Sequence, residues 1–189
     1  MLQAPGMTNE SVRDLSCPHH DKTHHMITTV KVVSCLLREH NAATQLLAFL
    51  NPPPLEDFQL PVGPAKNTEN LEVAALRHLL DATGIGRAKI MARVGTLEVI
   101  RPADPLTGSP PERQFWKVYH VDTQDEIPET WDHPADSRQP DKVLRYFWHD
   151  LRADESHIAP QIRSVLKLIH NYNLVQSVRK KQRMGEWGN

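Results

Sequence analysis

Three short stretches of the 189-residue chain gather side chains capable of chemistry. Arg77, His78 and Asp81 fall in a segment with helical periodicity. Positions 78, 81 and 82 are three and four residues apart there and share one face. That face offers an imidazole, a carboxylate and the methyl of Ala82. An imidazole beside a carboxylate suits Mn²⁺ or Zn²⁺ better than Mg²⁺, although a lone helical histidine is more often half-buried structure than a ligand. Farther on, Asp122 is followed by Asp125, Glu126, Glu129, Asp132, Asp136 and Asp141, which make residues 123–141 acidic; a solvated loop is the commoner fate of such a run. Near the start, Cys17, His19, His20, His24 and His25 crowd into nine residues. Thiolate and imidazole together form a chemically reasonable first shell for Zn²⁺. Their spacing matches no finger or ribbon, and an arm without a metal is the competing reading.

The elements that must position these groups follow from periodicity and breakers. Residues 27–37 are β-branched and read as a buried strand, 38–44 turn the chain, and 45–50 return as the second strand of a hairpin. Pro52, Pro53 and Pro54 stop it. A short strand-like run covers 58–60. A helix is predicted over about 68–83, with Leu71, Ala75, Leu79 and Ala82 on one face, Thr68 or Asn67 as its cap and Gly84 closing it. Strands are predicted at 90–100, 115–121 and 143–148, joined by a loop with four prolines (102–112) and by the acidic loop (123–141). Ile158, Ile162, Val165, Leu166, Ile169 and Tyr172 form the stripe of a closing helix that runs to about Arg179. Helices packed on a mixed sheet make an α/β or α+β domain.

Composition bounds the rest. Hydrophobic residues are 39% and charged residues 24%, with a formal net charge of −1, so no global field points to nucleic acid or membrane. Collagen, coiled coil and a wholly disordered chain are excluded. No apolar run is long enough to cross a bilayer. No secretory leader is expected. Two cysteines cannot form a disulfide framework, so the cytoplasm is the expected location. The basic run Arg179, Lys180, Lys181 and Arg183 suits the carbonyl end of a helix; without interleaved aromatics it argues against nucleic acid as a partner. Trp116, Tyr119, Phe147 and Trp148 fall in strands, where alternation divides them between core and cleft.

Residues 60–85, LPVGPAKNTENLEVAALRHLLDATGI, resemble the signature box of the Nudix (MutT-like) hydrolases. Gly63, Glu69, Arg77, Leu79, Gly84 and Ile85 fall on matching positions without insertion. The family has Glu where this chain has His78, Asp81 and Ala82. The resemblance spans about residues 26–172 and implies an α-β-α sandwich with a mixed sheet. It also implies an arm at 1–25, a Nudix-like domain at 26–176 and a basic tail at 177–189. By analogy Gly63, Glu69, Arg77 and Gly84 are structural: Glu69 pairs with Arg77 to brace the loop, and the glycines serve turns. His78 and Asp81 stand where a divalent cation, Mg²⁺ or Mn²⁺, is held, and Glu126 or Glu129 is the expected further acid. The implied activity is hydrolysis of a nucleoside diphosphate linked to another moiety. The alternative is a catalytically inactive Nudix-fold module that binds a nucleotide or a partner protein. A nucleotide-like small molecule is the expected ligand, and a homodimer is an assembly common in the family.

Overall fold

Alternation along the first strand decides how the layers stack. In the computed structural model, which describes residues 26–53, 57–135 and 142–186, β1 spans Ile27–His40. Its Val32 and Leu36 join a core with Ala74, Ala75 and Leu79 of helix α1, Leu71–Thr83. Its Val33 and Cys35 join another with Ile162, Val165, Leu166 and Ile169 of helix α2, Pro160–Glu186. Successive strand side chains point to opposite faces, so one strand seeds both cores and a helix covers each side. Of the residues singled out from the sequence, Asp136, Asp141 and the Cys17/His19/His20/His24/His25 cluster lie outside the described residues.

The remaining strands are β2 (Ala43–Leu50), β3 (Phe58–Gln59), β4 (Val62–Pro64), β5 (Ala88–Arg101), β6 (Glu112–Thr123), β7 (Thr130–Pro134) and β8 (Val143–Asp150). They form a mixed sheet in the order β5-β6-β1-β2-β8-β7, with β3 on β2 and β4 on β1. The pair β1–β6 is parallel and the other pairs are antiparallel. The expected α-β-α architecture is the observed one. Among the described residues no helix is long and apolar enough to cross a membrane.

Four local expectations are corrected. The hairpin turn is only Asn41–Ala42, both in the left-handed region at φ 49° and 58°, which is the geometry a two-residue turn needs to match strand twist. The cap of α1 is Asn70: its side-chain oxygen accepts from the backbone N–H of Glu72 at 2.8 Å and Val73 at 3.3 Å. Thr68 has φ 67° and is committed to the preceding turn, donating to the Asn67 carbonyl. Part of the acidic loop is strand β7, which gains a ladder on β8, and α2 continues past Arg179 to Glu186. Gly84 closes α1 at φ 78° as expected, its N–H bonded to the Leu80 carbonyl at 2.8 Å.

Candidate functional site

The loop from β4 into α1 is braced by one ion pair. Arg77 Nε and Nη2 donate to the two carboxylate oxygens of Glu69 at 2.8 and 2.7 Å. The same carboxylate accepts from the Lys66 N–H at 2.9 Å. Parallel guanidinium–carboxylate bonds fix orientation as well as distance. Arg77 and this backbone bond hold the Glu69 carboxyl down at about 2. The loop around it is strained at Thr68, a β-branched residue in the left-handed region.

His78 serves the same loop. Its Nε2 donates to the Pro64 carbonyl at 2.6 Å. A Cβ placed on Gly63 would overlap the imidazole ring, so the ring fills the space that glycine leaves. Gly63 is required here by close approach rather than by a positive φ. His78 therefore ties α1 to β4. Asp81, one turn along, is 62% exposed at its side chain and lies 3.8 Å from Arg77 Nη1. Ala82 contributes its carbonyl: Tyr146 of β8 donates to it at 2.6 Å. Trp131 of β7 donates to the Thr83 carbonyl at 3.3 Å. These two bonds satisfy acceptors that every helix end leaves unpaired.

The acids of the following segment go elsewhere. Glu129 is bonded to Arg38 of β1 through both carboxylate oxygens, at 2.8 and 2.5 Å, and this contact holds its carboxyl below the usual range. Glu126 is exposed. Asp125 bonds Arg87 and the N–H groups of Gly86 and Arg87. Asp132 bonds Arg145, and Asp122 lies 3.5 Å from Lys89. Among the described residues, no three His, Cys, Asp or Glu side chains converge on a point a metal could occupy. Mg²⁺ wants near-octahedral oxygen ligation. An exposed Asp81, a His78 ring committed to Pro64 and the Ala82 methyl do not fit it.

Periodicity did not single out Arg38. It bonds Glu129 and Gln45, and its guanidinium lies 4.2 Å from the centroid of Trp148. The Trp148 face that alternation left open to a ligand is therefore covered by a cation. Trp116 and Phe147 pack on the α2 side, and Tyr119 packs on the α1 side.

A cavity of about 770 Å³ opens on the α2 side beneath the proline-rich 102–111 loop, lined by Arg101, Glu112 and Gln161 among others. Glu112 accepts from the Thr29 hydroxyl at 2.6 Å and the Gln114 amide at 2.5 Å. Lys31 lies close enough to feel both Glu112 and Arg101, and burial pulls its ammonium below the ordinary lysine value. Lys31 is also the ladder partner of Pro64. The strand that carries it therefore borders the loop anchored by His78. Lys31, Arg101 and Gln161 were missed from sequence, because none lies in a motif and only the fold brings them to one end of the sheet.

No protein-family model and no curated protein matches the chain. Solved structures do. A C. elegans Ap4A hydrolase in a binary complex aligns at TM-score 0.55 and 12% identity, covering 77% of this chain and 98% of that one. The NUDIX domain of Shewanella oneidensis NrtR, complexed with ADP ribose, aligns at 0.53 and 18%, covering 82% and 94%. A MutT protein from Methanosarcina mazei Go1 aligns at 0.53 and 15%, covering 78% and 96%. Identities this low speak for backbone architecture alone, and with the mixed sheet, its two covering helices and the Gly63-to-Gly84 loop and helix, they establish that this chain has the Nudix fold.

Proposed function

We propose that this chain is a Nudix-fold module that binds a nucleotide-like ligand and has lost cation-dependent hydrolysis on α1. The observation that carries the reading is the seat of His78. The position expected to face a cation is spent on the Pro64 carbonyl and on the space above Gly63. Ala82 leaves a second expected donor as a methyl. Glu69, Arg77, Gly63 and Gly84 keep the loop and helix in shape, which a binding module needs as much as an enzyme does. Arg101 in the cavity wall supports an anionic ligand, since a guanidinium favours phosphate oxygens, while the lining carboxylates are engaged elsewhere, Glu112 by Thr29 and Gln114 and Asp104 by Leu106 and Thr107 of its own loop. One structural neighbour holds ADP ribose, which makes it the natural first ligand to try.

The test is calorimetric titration of ADP-ribose into the protein with EDTA present, paired with a hydrolysis assay in Mg²⁺ and in Mn²⁺. Saturable binding without turnover, weakened at least about tenfold in Arg101→Ala, is the expected result. The hydrolase reading survives in one outcome. Metal-dependent turnover that disappears in Asp81→Ala would place a working cation at His78, Asp81 and Glu126 or Glu129, and would overturn the proposal.

A further inference from the structure

Strand β5 is an edge of the sheet: β6 pairs with one side of it, and among the described residues no strand pairs with the other. It runs from Ala88 to Arg101 without a proline, and Pro102 follows it. An unpaired edge of this kind is a row of backbone donors and acceptors that can template another strand. The register against β6 shifts at Met91 and again at Val94, where each bulge takes up one extra residue. With the bulges counted, Thr96 is the midpoint between Lys89 and Arg101, since their β6 partners Lys117, Asp122 and Glu112 are evenly spaced. Arg93 and Glu98 lie at equal distances on either side of Thr96, opposite Tyr119 and Phe115 of β6.

Arg93, Thr96, Glu98 and Ile100 are exposed and share one face of β5, the face whose ladder partner Tyr119 packs on the α1 side. Helix α2 covers the opposite face, with Leu168 lying over Gly95. Arg93 Nη2 donates to the Thr96 hydroxyl at 2.9 Å, and Lys117 Nζ donates to the same oxygen at 3.4 Å. Among the described residues no carboxylate pairs with either cation. Glu98 holds Arg113 through one oxygen at 3.0 Å, and its side chain is 48% exposed. Two cations therefore gather on a neutral hydroxyl at the middle of an open edge, with a half-engaged carboxylate farther along it.

We propose that two copies of this chain pair through β5, antiparallel about a twofold axis at Thr96, so that their sheets continue as one. In that register each Arg93 stands opposite Glu98 of the second copy, each Ile90 opposite its Ile100, and Thr96 opposite Thr96. Opposite charges, hydroxyl pairs and apolar pairs at such positions all stabilise a ladder. The carboxylate that Arg93 and Lys117 lack in one copy comes from the other. At the two ends Lys89 meets Arg101, each beside a carboxylate of its own copy, Asp122 and Glu112. A twofold at Glu98 would instead oppose two carboxylates, and one at Leu97 would set Arg93 against Ile100. Backbone bonds give affinity in strand addition while side chains select the register, and an isologous contact of this kind closes at two copies. The inference does not depend on the nucleotide reading, because no ligand takes part in the pairing.

The test is sedimentation of the full chain without ligand, from about 5 to about 200 µM, a range suited to an interface of modest area. A dimer that grows with concentration is expected. Arg93→Glu alone and Glu98→Lys alone should each weaken it at least about tenfold, because like charges then face each other twice. Both side chains are exposed, so neither change reaches the core. An equal mixture of the two single variants should dimerise again, since each copy then offers the charge the other needs. The double variant with both changes in one chain should also recover. A monomer at every concentration, a dimer indifferent to both single changes, or no recovery in the mixture and the double variant would each overturn the proposal.

Discussion

The imidazole of His78 occupies the space above Gly63 that a side chain there would need, and Nε2 fastens to the next carbonyl, Pro64, at 2.6 Å. The two residues are fifteen positions apart in the chain and interlock helix α1 with strand β4. This interlock makes the box a brace in this protein. A residue at the expected cation position has become part of what holds the loop in place.

The interlock predicts coupled energetics. Gly63→Ala drives a methyl into the His78 ring and should destabilise the protein by about 1–3 kcal/mol, the usual cost of overpacking. Removing the ring with His78→Ala makes room for that methyl. The double variant should then be more stable than the sum of the single effects predicts, by about 1 kcal/mol. Urea unfolding of the four proteins measures the coupling; strict additivity would mean that the two residues do not interlock.

Glu69 predicts an acid-dependent loss. Its carboxyl lies at about 2 in the folded chain against an ordinary 4.5. A depressed carboxylate contributes stability that is complete above the unfolded value and fades as pH falls through the folded one. The midpoint difference between the natural chain and Glu69→Gln should therefore be full at neutral pH and should shrink between 4.5 and about 2. Urea midpoints at pH 7 and at about pH 3 test it. A difference that stays constant with pH would remove the ion pair from the explanation.

Tyr146→Phe removes the donor that satisfies the Ala82 carbonyl at 2.6 Å. Tyr146 is fully buried, so the ring packing survives while an acceptor in the last turn of α1 loses its partner. The expected cost is about 1 kcal/mol. Amide exchange should rise at the carboxyl end of α1 more than at its start. Uniform exchange along the helix would mean that this bond does not secure the end.

Divalent cations should leave stability unchanged. A site with a dissociation constant a hundredfold below the added concentration would contribute about 2.7 kcal/mol. At about 2–4 °C per kcal/mol for a chain of this size, that is a plain rise in Tm. The expected shift in Mg²⁺ or Mn²⁺ is under about 1 °C, with Asp81→Ala behaving identically. The combined change of His78, Asp81 and Ala82 to Glu should gain no hydrolysis, and it should lower Tm because the His78 anchor is lost. A Tm rise that vanishes in Asp81→Ala would restore the cation site.

Much of the architecture was legible in local pattern. The β-branched run at 27–37, the helical period from Leu71 to Leu79, Gly84 and the Ile158-to-Ile169 stripe each marked an element the fold contains. β7 was not legible. Its five residues, Thr130–Pro134, are too short to show a period and end on a proline, and they become a strand only because β8 offers a free edge. The helix cap was misplaced by two or three residues because Asn67, Thr68 and Asn70 all carry capping side chains. Only the folded backbone, which sends Thr68 to φ 67°, selects Asn70.

What the chain's own order of residues determined was the scaffold: spacing along one strand or helix decides which face is apolar, and Gly63, Glu69, Arg77 and Gly84 stand at separations a loop and one helix must satisfy. Tertiary structure decided the use of the chemical groups. Whether His78 points at a cation or at Pro64, and whether Glu129 meets a metal or Arg38, depends on groups brought from β4 and β1. Periodicity is a property of neighbours along the chain, whereas hydrogen-bond partners and shared charge are properties of neighbours in space.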